Sequence, residues 1–84
     1  MANLATFDIT DTDYVDVATT ASISFVNGTA YEIQGLNGDF MIRVGGTGKG
    51  FYVKSLEHVR YTYSTGETLY IKKMHNGDLT VNIG

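Results

Sequence analysis

The run Val44-Gly45-Gly46-Thr47-Gly48-Lys49-Gly50-Phe51-Tyr52-Val53 sets a lysine among glycines, the residue types of a loop that cradles phosphate. That chemistry also needs a glycine five residues ahead of the Gly-Lys pair, a hydroxyl after the lysine for magnesium, and a helix whose N-terminal amides face the anion. Arg43 stands where the first glycine belongs, Gly50 replaces the hydroxyl residue, and the strand-forming Phe51-Tyr52-Val53-Lys54 follows. The dinucleotide pattern G-x-G-x-x-G fails as well, because Phe51 takes the third glycine position counted from Gly46 and Gly48. The expectation is a glycine-rich connection between two strands, with no nucleotide and no other cofactor.

Metal chemistry and hydrolysis fare no better. Asp8, Asp11, Asp13 and Asp16 make the N-terminal stretch acidic, but an EF-hand spacing counted from Asp11 puts Val15 at the third ligand position and Asp16 at the glycine. Carboxylates in turns and on solvated strand faces explain them. His58 and His75 have no cysteine or carboxylate at ligand spacing, and the chain has no cysteine. No G-x-S-x-G elbow occurs, and no strand register brings Ser, His and Asp together. The residues point away from catalysis and from a metal site.

The elements that position these residues are strands. Proline is absent, glycine occurs ten times, and apolar and polar residues alternate almost throughout. Strands are expected over residues 6–10, 14–20, 22–26, 30–34, 40–44, 51–55, 59–63, 68–73 and 79–83, with no helix, in an all-β small antiparallel sandwich or barrel. Residues paired across a hairpin share a face, which tests each loop. Three-residue loops at 64–66 and 75–77 pair Tyr61 with Leu69, Val59 with Ile71, Ile71 with Val81 and Leu69 with Ile83. All of these are apolar, so a C-terminal three-strand meander is expected. A loop at 26–28 pairs Ile23 with Tyr31. The same logic fails at 36–38, and a bulge or a change of sheet is expected at Gly35. Pairing Val44 with Phe51 and Ile42 with Val53 leaves 45–50 as the connection, its glycines serving the turn.

Eighty-four residues make one domain, 1–84, with 1–20 as an N-terminal arm or as additional strands. So short a chain buries only about 60–65% of the surface it exposes when unfolded. With no disulfides to help, association with other copies is the remaining route to stability. The net charge is −3, and Arg43, Lys49, Lys54, Arg60, Lys72 and Lys73 are scattered, so no concentrated basic face for nucleic acid is expected. The opening MANLATFDIT lacks a basic segment followed by an apolar one, and no stretch reaches membrane-spanning length, so a chain that stays in the cytoplasm or leaves by lysis is expected.

On the outward face the expected registers set Tyr70 beside Arg60 and Asn82, and Tyr52 beside Arg43. Tyrosine and arginine are enriched in interface cores, and sheet tyrosines also stack on sugar rings. Tyr14, Arg43, Tyr52, Arg60 and Tyr70 are the candidate interface residues.

The order of segments "NGTAYEIQ" at 27–34, a glycine-rich loop, "GETLYIKK" at 66–73 and "LTVNI" at 79–83 resembles small all-β virion proteins of tailed bacteriophages, among them capsid decoration (cement) proteins and small tail or head-fibre components. The likeness covers about residues 22–83 and is a style of strand and turn with no catalytic motif. It implies a structural role in the virion, assembled in the host cytoplasm, as a homotrimer that binds the major capsid protein or another virion protein. A carbohydrate-binding β module is the alternative, with Tyr14, Tyr52 or Tyr70 as its platform.

Overall fold

A computed structural model describes residues 4–45 and 50–84. Residues 46–49, most of the expected glycine-rich connection, lie outside the described residues. Eight strands and one helix form along the described chain: β1 Ala5–Ile9, β2 Val15–Asp16, α1 Val17–Ala21, β3 Ala30–Gly35, β4 Phe40–Val44, β5 Phe51–Val53, β6 His58–Thr62, β7 Leu69–Lys73 and β8 Leu79–Ile83. Alternation does what it should: in β3, Tyr31 and Ile33 are buried between less buried neighbours, and in β8 Leu79, Val81 and Ile83 are buried while Thr80 and Asn82 face out.

The strands form two four-stranded sheets, sheet A in the order β1-β8-β3-β6 and sheet B in the order β2-β7-β4-β5, and every pairing is antiparallel. Ile9, Ile33, Leu79, Val81 and Ile83 from sheet A meet Phe40, Ile42, Leu69 and Ile71 from sheet B in one core, and each of these is at most 5% exposed. The chain is therefore an all-β antiparallel sandwich. The pairings Ala5 with Ile83, Val15 with Ile71, Ala30 with Thr62 and Phe40 with Val53 are nested one inside the next. Such nesting describes one long hairpin rolled up on itself, the strand order of a double-sheet jelly roll.

That topology corrects the C-terminal meander. β6 lies in sheet A, β7 in sheet B and β8 in sheet A again, so Tyr61 and Val59 pair with Tyr31 and Ile33 rather than with Leu69 and Ile71. β7 lies between β2 and β4, and β8 between β1 and β3. The faces were right and the partners wrong, because two inward-facing residues can meet across the core of a sandwich as readily as side by side in one sheet. At Gly35 the chain does change sheet. A side chain there would meet the Gly38 carbonyl oxygen at 2.7 Å and the Phe40 ring at 2.9 Å, so the crossing needs glycine. The β4–β5 register is shifted by two residues from the expected one, with Ile42 opposite Phe51 and Phe40 opposite Val53. A shift of two preserves the faces.

Residues 17–21 form a short helix instead of continuing a strand. Asp16 caps it by accepting a hydrogen bond from the Thr19 amide at 3.3 Å, and Ser22 closes it in the left-handed conformation at φ 57°. Val17 is completely buried, and the helix packs on β1 and β7. Residues 23–26 are irregular rather than a strand. Phe25 turns inward to meet the rings of Tyr31, Tyr61 and Tyr63 at centroid separations of 4.8, 5.8 and 5.7 Å. Ala5–Ile9 is not a free arm: it pairs with β8 over its whole length and carries the buried Ile9.

Candidate functional site

The outer faces of the two sheets are built differently. On sheet A three outward pairs meet across the strands: Thr6 donates to Asn82 at 3.0 Å, Thr80 donates to Asp8 at 2.7 Å, and Arg60 pairs with Glu32 at 3.0 Å. The Arg60 side chain is 70% exposed, so that ion pair contributes little to stability. Arg60 thus sits opposite Glu32 in sheet A, whereas the Tyr70 expected beside it lies in sheet B.

On sheet B the outward residues are tyrosines and cations. The register puts Tyr70 opposite Arg43 on one side and Asp16 on the other, and Lys72 opposite Met41. Tyr14, just before β2, reaches across the face so that its ring centroid lies 4.0 Å from the Arg43 guanidinium carbon. Tyr70 lies 5.4 Å from the same carbon, and the Lys72 amine lies 5.9 Å from the Tyr14 ring. These are cation–π distances. Of the five candidate residues, the structure brings Tyr14, Arg43 and Tyr70 together. Tyr52 lies opposite Met41, not Arg43, and its hydroxyl donates to the Asp39 carboxylate.

Gly50 belongs to this face and not only to a turn. A side chain at Gly50 would stand 2.6 Å from the Tyr14 hydroxyl and 2.8 Å from the Ile42 carbonyl oxygen, so glycine here leaves room for the ring that covers Arg43. Gly45, with φ +87° and open space around its missing side chain, is the glycine that serves backbone conformation.

Asp39, at the entrance to β4, is a local tie. Its carboxylate accepts from the Tyr52 hydroxyl and, at 2.8 Å, from the Ser55 amide, and these bonds hold its pKa below the ordinary aspartate value, with Lys54 and His75 adding to the effect against some desolvation. The same bond raises the pKa of the Tyr52 hydroxyl. Tyr61 is shifted upward too, first by burial and then by its bond to Glu67. Lys73 is the one buried charged residue among those described, 5% exposed, and its amine donates to the carbonyls of Asn76 at 3.3 Å and Gly77 at 3.0 Å. It pins the β7–β8 loop.

The acidic residues are occupied locally as well. Asp11 accepts from the Asp13 amide, Asp13 from the Tyr14 amide, and Asp16 caps α1. His58 lies opposite Gln34, and His75 packs against Gly38 with a ring nitrogen 3.2 Å from the Asp78 carbonyl. Among the described residues no three His, Cys, Asp or Glu side chains converge on a common point, and no helix is long and apolar enough to cross a membrane.

The second unusual surface is the side where β5 and β6, the last strands of their sheets, leave their outer edges unpaired. An open groove of about 300 Å³ runs between them, lined by Ile42, Arg43, Val44, Phe51, Val59, Arg60, Tyr61 and Leu69. Phe51 is 76% exposed beside it. In the β5–β6 connection Leu56 is 62% exposed and held at φ +69°, a backbone conformation that costs a branched residue about 1 kcal/mol or more. Its amide bonds the Gly35 carbonyl, and its own carbonyl accepts from the Gln34 side chain. The expected strand at 51–55 gives Phe51 and Val53 the same face, yet Val53 is buried and Phe51 is not. The alternation of Phe51, Tyr52 and Val53 gives no sign that Phe51 lies beyond the covering sheet.

No family model, no curated protein and no solved structure matches this chain.

Proposed function

We propose that this chain is a structural, non-enzymatic subunit of a bacteriophage virion, foremost a capsid decoration protein, that completes itself as a homotrimer through the β5–β6 side. The observation that carries this reading is that side itself: two unpaired strand edges and a largely apolar groove lined by the exposed Phe51 and Val44, with Arg43 and Arg60 beside them. Bare edges and exposed aromatic residues invite uncontrolled pairing, and natural proteins cover them. Closure of three copies about an axis covers every copy's edge with the next. Repeated weak contacts over a particle surface then add by multivalency. The jelly-roll strand order supports the reading by analogy, since viral capsid domains use it, as lectin domains also do.

Light scattering on the purified chain over a dilution series tests the association. A trimer that Phe51→Ser converts to monomer fits the proposal, and a monomer at every concentration contradicts it. The virion assignment is tested separately by the genomic neighbourhood of the coding sequence. Flanking genes for capsid or tail assembly are expected, and a locus without any removes the virion part of the reading.

A further inference from the structure

We infer that Leu56 of each copy seats in the β5–β6 groove of the next copy, with Glu57 meeting Arg60 at the rim. The inference rests on the assembly reading and adds which part of the neighbouring copy fills the groove.

Leu56 is held out into solvent by its own loop. It is 62% exposed at φ +69°, in the crossing from β5 to β6, where glycine or asparagine would take the left-handed backbone at less cost. Hydrogen bonds fix that crossing on every side. The Ser55 amide donates to the Asp39 carboxylate at 2.8 Å, the Leu56 amide to the Gly35 carbonyl at 2.8 Å and the Glu57 amide to the Lys54 carbonyl at 3.1 Å. The Leu56 carbonyl accepts from the Gln34 side chain at 2.8 Å. A strained backbone that its surroundings hold in place is a mark of functional positions, and an anchor fixed in advance loses little freedom on docking.

The groove is the matching pocket. Ile42, Val44, Phe51, Val59 and Leu69 line it and Leu56 does not, so a copy does not fill its own groove with that side chain. Its volume of about 300 Å³ is at the small end for a ligand pocket and suits one branched side chain as anchor. Charge agrees with shape. Arg60 lines the groove with a 70% exposed side chain and gives Nε to Glu32, which leaves its terminal nitrogens as further donors. Glu57 is exposed and makes no ion pair among the described residues. An apolar anchor with opposite charges at its rim has the anatomy of a specific protein contact.

Symmetry agrees too. A knob and a groove are different patches, so the contact is heterologous, and it closes at three copies only where the patches face adjoining directions; patches on opposite sides would build a filament. The groove opens along the side between β5 and β6, and Leu56 stands at one end of that side, bonded to Gly35 where the chain changes sheet.

Sedimentation equilibrium of the native chain and of Leu56→Asn tests the inference, with circular dichroism to follow folding. Asparagine keeps the left-handed backbone and removes the anchor, so the variant should be folded and should associate at least tenfold more weakly than the native trimer. The chain has no cysteine, so cross-linking reads the contact directly. An oxidised mixture of Leu56→Cys and Val44→Cys copies should give a disulfide-linked pair that neither variant gives alone. A native trimer that Leu56→Asn leaves intact, or a mixture that cross-links no more than either variant alone, overturns this inference and leaves the assembly reading standing. A native monomer at every concentration overturns both.

Discussion

The two lateral sides of the sandwich solve the same problem in opposite ways. On the β1–β2 side the edges are covered from within the chain: α1 packs on β1 and β7, buries Val17 completely, and is capped by Asp16 at one end and Ser22 at the other. On the β5–β6 side no helix or loop among the described residues does this, and Val44, Phe51 and Leu56 stay exposed. Both sides belong to the same rolled hairpin, with β1–β2 and β7–β8 near its open end and β4–β5 at its tip. Intrachain covering at one side with exposed apolar residues at the other is the contrast on which the proposed association rests.

The largest expected effect breaks the closed side. Ile9→Ala removes a fully buried side chain of β1 and should cost about 2–5 kcal/mol in urea unfolding, whereas Phe51→Ser should change monomer stability by no more than about 0.5 kcal/mol. Equal losses at the two positions would show that Phe51 belongs to the core. Gly50→Ala comes next, at about 1–3 kcal/mol, because a methyl group there meets the Tyr14 hydroxyl and the Ile42 carbonyl. A crystal or NMR structure of that variant should show Tyr14 displaced from Arg43. Asp16→Ala should cost about 1 kcal/mol through loss of the helix cap, measured as a shift in the urea midpoint with unchanged slope.

The smallest effect is acid sensitivity near the open side. Because the Asp39 pKa is lowered in the folded chain, its contribution is complete above the unfolded aspartate value of about 3.9 and is lost as pH falls through the folded value. Stability should therefore decline more steeply below about pH 4 in the native chain than in Asp39→Asn. Parallel pH profiles would remove Asp39 as the tie between the start of β4 and β5.

Most of the fold is legible in the residue pattern, and its gaps have physical causes. Alternation marks seven of the eight strands within a residue or two, because burial on one face alone imposes a period of two. It cannot say which inward strands are neighbours and which face each other across the core, so β6, β7 and β8 read as a meander. The helix at Val17–Ala21 hides behind β-branched residues, and its signal is the single capping Asp16. The sheet change at Gly35 is legible because a three-residue loop at 36–38 would align Ile33 with Met41 and leave Phe40, Ile42 and Val44 on the other face. The pairing of Tyr14 with Arg43 is not, since it depends on β2 and β4 flanking β7, a long-range arrangement that no local spacing encodes.

The central claim is that the β5–β6 side is covered by other copies of the chain. Sedimentation equilibrium of the native chain and of Phe51→Ser, at matched concentrations, measures it most directly. The account predicts a trimer for the native chain and a folded monomer for the variant. A native monomer throughout the accessible concentration range, or a trimer that Phe51→Ser leaves intact, would contradict it.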